Sequence, residues 1–181
     1  MTEAEFQFLD FIQQNLRTPA GDAFMVAVTT LGNAGAVWIL LGILLLLRKK
    51  HRKTGIILLA ALFIDFLVCN IYLKNLIQAP RPCELNTAVQ LLISRPSDYS
   101  FSSGHTASSF AAVTVFFLQK EKFWPAALVL ALLIAFSRMY LYVHFPSDIT
   151  GGILTGIACA VLTRTILQGA WRRFKKHTVK G

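Results

Sequence analysis

Between two long apolar runs, residues 137–148 hold Ser137, Arg138, His144, Pro146 and Asp148 at fixed spacing. A cation, an imidazole and a carboxylate therefore meet where one apolar run ends and the next begins. An imidazole is a competent nucleophile when one ring nitrogen is free and the other donates to a carboxylate that fixes the tautomer. His144 is the expected nucleophile. Asp148, four residues on and across the Pro146 turn, is the group expected to orient it, and Arg138 a ligand for an anionic oxygen. The plainer reading is a helix cap, since Ser147 or Asp148 can cap the run that follows.

Two further stretches carry matching chemistry. Lys74 and Arg81 stand seven residues apart, and Pro80 and Pro82 flank the arginine. The prolines stop a helix and turn the chain, which brings Arg81 back toward the Lys74 face. Two cations at a membrane edge suit a polyanion; the alternative is snorkelling to lipid head groups. Ser102-Ser103-Gly104-His105 opens a third apolar run. A helix N-terminus offers free N–H groups and a partial positive charge, which together make an anion site. Gly104 lets the backbone approach a phosphate closely, Ser103 can cap the helix or donate to the anion, and His105 falls in the first turn as a general acid. On its own this triplet is weak evidence, because a helix cap beside an incidental histidine looks the same. Asp65 lies inside an apolar run, nine residues before Lys74, or roughly 13 Å along an α-helix. An intramembrane carboxylate faces the bundle interior. Asp65 is expected as a buried polar contact, too deep for phosphate chemistry.

These groups need a scaffold, and composition defines its class. The chain has 181 residues, 55% of them hydrophobic and 15% charged, enough for a single domain over 1–181. Several apolar runs approach the ~20 residues that cross a hydrocarbon core. Only helices or closed barrels satisfy their backbone in lipid, and these runs are too continuous for alternating barrel strands. The predicted fold class is all-α: a polytopic membrane bundle of five or six helices. Residues 4–16 are predicted as an amphipathic helix that lies in the interface or packs on the soluble side. Spans are predicted at about 23–47, 54–78, 103–118, 124–143 and 149–168. Gly32-Asn33-Ala34-Gly35 interrupts the first, as a kink or as the tip of a re-entrant piece. The run 103–118 is only about 16 residues, roughly 24 Å, so its start is expected near head-group depth.

A net charge of +9 would hint at nucleic acid in a soluble chain, but here the cations flank the spans, where they set orientation and meet anionic lipid. No nucleic-acid partner is expected; the basic tail from Trp171 through Lys180 is expected as a lipid-facing anchor. Cys69 and Cys159 sit in apolar runs as packing residues, Cys83 sits in a loop, and the three cysteines offer neither a disulfide framework nor zinc-type spacing. Glu3, Glu5 and Asp10 stand where a cleavable leader would need positive charge, so none is expected. Thirteen of the eighteen Lys and Arg residues fall in 48–53, 119–123 and the stretch from Arg164 onward. The positive-inside rule places that group in the cytoplasm, which puts the N-terminus and all the candidate site residues on the outer side.

Taken together, Lys74 with Arg81-Pro82, Ser103-Gly104-His105, and Ser137-Arg138 with His144 and Asp148 resemble the type 2 phosphatidic acid phosphatase superfamily, whose signature is KxxxxxxRP, PSGH and SRxxxxxHxxxD in this order. The one departure is Ser102, where the family usually has proline; a looser loop is expected there. The resemblance implies an acid phosphatase/haloperoxidase-like core and a metal-independent phosphatase with no cofactor. It implies that His144 attacks phosphorus, Asp148 holds it, and His105 protonates the leaving oxygen and then activates water. Lys74, Arg81, Ser103, Gly104 and Arg138 would bind the phosphoryl oxygens. Small members of the family resemble bacterial undecaprenyl diphosphate phosphatases, so the expectation is an outer-face lipid phosphatase of the cytoplasmic membrane. Phosphatidic acid or phosphatidylglycerol phosphate is the alternative substrate. A non-catalytic lipid-binding or transport protein is a reading from another class, although no repeat symmetry favours it and no nucleophile or motif cation is missing. A haloperoxidase, a larger soluble protein, fits five spans poorly.

Overall fold

The computed structural model describes residues 2–178, with side chains through Arg173; Lys175, Lys176 and Lys180 of the basic tail lie outside the described side chains. The described residues are helix and loop with no strand. Helix α1 (Glu3–Asn15) opens with Thr2 N donating to Glu5 Oε2 at 3.0 Å. Thr18 caps α2 (Pro19–Leu31), its Oγ1 accepting from Gly21 N at 3.0 Å, and Pro19 takes the first turn, where no N–H is needed. The helix therefore starts earlier than the predicted 23. At Asn33–Gly35 the chain turns through two left-handed residues, Ala34 (φ +51°) and Gly35 (φ +68°), and α3 (Ala36–Leu47) leaves bent by 46° from α2.

Helix α4 (Arg52–Asp65) runs on through a π-helical stretch (Phe66–Leu73) into α5 (Lys74–Ile77), and Gln78 at φ +49° ends it. In a continuous α-helix Asp65 and Lys74 would face opposite sides, because nine residues make about two and a half turns. A π-helix takes about one more residue per turn, so nine residues close about two turns. Both side chains line the same cavity. After the short α6 (Pro82–Leu85), an irregular loop leads to α7 (Gly104–Leu118), α8 (Trp124–Tyr140) and α9 (Pro146–Thr178). Helix α8 stops three residues before the predicted end, because the turn that carries His144 begins at Leu141. Helix α9 has 33 residues, about 50 Å long, and so outruns both the predicted 149–168 and the hydrocarbon core.

Large apolar side chains such as Leu40, Phe63, Leu132, Leu154 and Ile166 face outward, the surface of a bundle solvated by lipid. Two continuous stretches, Arg52–Leu85 and Pro146–Arg173, are long and apolar enough to cross a membrane, as is the bent pair Pro19–Leu31 and Asn33–Leu47 taken together. With α7 and α8 as shorter apolar helices, this is an integral membrane protein. The basic loops meet at one end: Thr54 Oγ1 donates to Glu121 at 2.6 Å, His51 Nδ1 lies 2.8 Å from Glu121, and Lys53 stacks 5.9 Å over Trp171.

Helices α7 and α9 pack backbone against backbone. A Cβ on Gly156 would run into the Ala107 carbonyl oxygen, and one on Gly152 would lie 2.8 Å from the Ser103 carbonyl. Small residues let helix backbones touch in lipid. Because backbone cannot step aside as a flexible side chain can, Gly156→Val is expected to cost at least about 3 kcal/mol. Thermal unfolding in detergent checks this, and a midpoint unchanged from wild type would refute the packing account.

Candidate active site

His144 sits in the turn between α8 and α9 and is 1% exposed. Arg81 Nη1 is 3.1 Å from its Nε2. A guanidinium only donates, so Nε2 is the ring's acceptor and the proton of the neutral ring sits on Nδ1. That side faces Asp148 Oδ2 at 3.5 Å and Ser100 Oγ at 3.4 Å. Asp148 Oδ2 is itself held by Ser100 Oγ at 2.5 Å and by Phe145 N at 2.8 Å. Burial first, and then the charges of Arg81, Arg138 and Lys74, hold the His144 imidazole well below its usual pKa. It is neutral at pH 7, the form a nucleophile needs. Ser100 is buried within this group and escapes sequence reasoning, because an uncharged residue in an irregular loop carries no spacing signal.

Arg81 is 2% exposed and fully engaged. It donates to the carbonyls of Val143 (2.8 Å), Asp98 (2.8 Å) and Tyr99 (3.2 Å), and to Asp98 Oδ1 at 2.7 Å. The buried Lys74 ammonium pairs with the other Asp98 oxygen. Half-burial alone would raise the Asp98 carboxyl, but the Lys74 hydrogen bond and charge, then Arg81, outweigh it and hold the pKa at about 2. Asp98 is thus a loop carboxylate seated between the two cations that the sequence assigns to phosphate. It is the one acidic residue in 86–103, and that was the signal available for finding it.

Arg138 is buried, with Nη1 donating to Thr29 Oγ1 at 2.6 Å and Nε left without a partner. His105 Nε2 is 3.0 Å from Asn33 Oδ1. Thr29 and Asn33 come from α2 and its kink, a segment with no chemical signature of its own. Of the two roles expected of Ser103 the structure shows the cap: it is fully buried, its Oγ accepts from Thr106 N at 3.4 Å and from Thr106 Oγ1 at 3.0 Å, and it is not among the residues lining the cavity. The hydroxyl caps α7, and the neighbouring Gly104 presents backbone to the cavity instead. Ser102, at the position of the family proline, is buried with its hydroxyl 3.0 Å from Cys69 Sγ. The loop is thereby tied to the π-helical stretch, where a looser one was expected.

These groups share one cavity of about 940 Å³. Lys74, Arg81, Gly104, His105, Arg138 and His144 line it together with the apolar Ile39, Leu59, Phe63 and Phe66. Asp65 also lines the cavity, buried, with Oδ1 unpartnered.

The PAP2 superfamily profile matches residues 54–172, and the chain belongs to that superfamily. Over 121 residues it is 36% identical to an undecaprenyl-diphosphatase of Sulfolobus acidocaldarius, covering 66% of this chain and spanning only 58% of that relative's length. Over 146 residues it is 32% identical to the undecaprenyl-diphosphatase BcrC of Bacillus subtilis, covering 78% of this chain and 72% of that one. Among solved structures, Aquifex aeolicus LpxE superposes with a TM-score of 0.78 at 31% identity, over 91% of this chain and 96% of that chain.

Proposed function

We propose that this protein is a membrane lipid phosphatase acting through a phosphohistidine, with undecaprenyl diphosphate as its substrate. The observation that carries this reading is one cavity lined both by three buried cations and two histidines and by apolar side chains. That layout fits a molecule with a phosphate head and a hydrocarbon tail. The choice of lipid rests on the similarity to the two undecaprenyl-diphosphatases.

The reaction begins with exchange. The terminal phosphate takes the place of Asp98 between Lys74 and Arg81, and Arg81 shifts from Nε2 of His144 to a phosphoryl oxygen, freeing the nucleophile. Nε2 attacks phosphorus while the bond to the leaving oxygen breaks, and Asp148 stabilises the charge gained by the ring. Lys74, Arg81, Arg138 and the Gly104 amide neutralise the charge on the transferring group, usually the largest catalytic contribution. His105 protonates the leaving oxygen, then takes a proton from the water that cleaves the phosphohistidine. Lipid monophosphate and inorganic phosphate are released. The charge pattern of the loops supports a site at the outer face of the cytoplasmic membrane.

Phosphate release from undecaprenyl diphosphate, phosphatidic acid and phosphatidylglycerol phosphate, measured with EDTA present, tests the reading. Turnover that survives EDTA and is fastest on the diphosphate is expected. No release from any of the three would overturn it in favour of a lipid-binding role, and faster release from a monoester would move the substrate to the glycerophospholipids.

A further inference from the structure

Asn33 lies outside the family match at 54–172, in the kink between α2 and α3, yet among the described residues it makes the one side-chain hydrogen bond to the His105 ring, 3.0 Å from Nε2 to Oδ1. A carboxamide oxygen only accepts, so Nε2 carries the proton and Nδ1 is the nitrogen left to titrate. The kink backbone also closes on the ring itself. A Cβ added to Gly32 would stand 2.8 Å from His105 Cδ2 and 3.0 Å from Ile134 Cγ2, so a larger residue there would displace the imidazole. One turn earlier on the same helix, Thr29 holds Arg138. The bend of 46° therefore delivers an oxygen acceptor and a flat backbone face to a ring whose own helix supplies neither.

We infer that Asn33 is the positioning residue for His105: a neutral oxygen anchors one ring nitrogen and commits the other to proton transfer, as Asp148 does for His144 with a charge. The inference rests on the phosphatase reading above. Its weight falls on the step that needs His105 most. A diphosphate expels a phosphate, which leaves with little protonation; a phosphomonoester expels an alkoxide and needs the proton delivered.

Two substitutions separate this role from a merely structural one. Asn33→Leu keeps the volume and removes the acceptor, whereas Asn33→Asp keeps an acceptor oxygen; Asn33→Ala replaces the leucine variant should that fail to fold. Steady-state rates are measured for the full chain on undecaprenyl diphosphate and phosphatidic acid. On whichever substrate wild type cleaves, the acceptor-less variant is expected to lose ~10- to 100-fold in kcat with KM within about twofold. Asn33→Asp is expected to recover to within about fivefold of wild type. Where both substrates turn over, the monoester suffers the larger loss. An aspartate no better than the leucine or alanine variant, equal losses on both substrates, or no loss at all would overturn the assignment while the phosphatase reading stood. A wild-type protein that cleaves neither of these nor phosphatidylglycerol phosphate would overturn both.

Discussion

Replacing His144 with alanine is expected to lower phosphate release by on the order of 10⁴ or more, because it removes the nucleophile and the group around which the other catalytic contacts are arranged. The fold should tolerate the change. The imidazole occupies a turn, and its removal opens a small polar space that water can fill. Two measurements check this. Rapid acid-free quenching with a labelled phosphate donor should leave label on wild type, and none on His144→Ala. Thermal unfolding midpoints of the two proteins should agree within a few degrees. Residual turnover above a few per cent would mean that a different atom attacks phosphorus.

The second large effect is expected at Arg81. Arg81→Lys preserves the charge but not the planar fork, and the fork here spans three carbonyls, one carboxylate and the His144 ring. A lysine ammonium has three donors on a flexible stem and cannot reach that set together. The loss should be on the order of 10² or more in kcat/KM, comparable to removing a transition-state donor elsewhere, and it should appear in kcat as well as KM. The reason is that Arg81 also sets which nitrogen of His144 is free. A lysine variant within about threefold of wild type would show that charge alone suffices and that the tautomer is fixed entirely from the Asp148 side.

The part of this site legible in the sequence was the part whose residues are charged or titratable and locally spaced. Lys74, Arg81, His105, Arg138, His144 and Asp148 announce themselves because each breaks an apolar run or opens one. Ser100, Thr29 and Asn33 do not. Each is neutral, and each earns its position from a contact separated in sequence by 44 to 109 residues. Helix content and the bundle were readable from unbroken apolar runs. The π-helical stretch was not, since Phe66–Leu73 has the composition of any lipid-facing segment, and only the tertiary demand that Asp65 and Lys74 share a cavity reveals the wider coil. Ser103 carried two readings, cap and anion ligand, and its hydrogen bonds show the cap.

The apolar lining of the cavity has a kinetic meaning. Phe63 and Phe66 belong to it and are themselves 63% and 52% exposed. The wall of the site is therefore also part of the surface that lipid touches. A substrate that enters there never leaves the bilayer; it arrives by two-dimensional diffusion, with its tail already solvated. The concentration that governs saturation is its mole fraction in the membrane plane. Adding inert detergent or phospholipid at constant bulk substrate should slow the enzyme, and adding buffer should not.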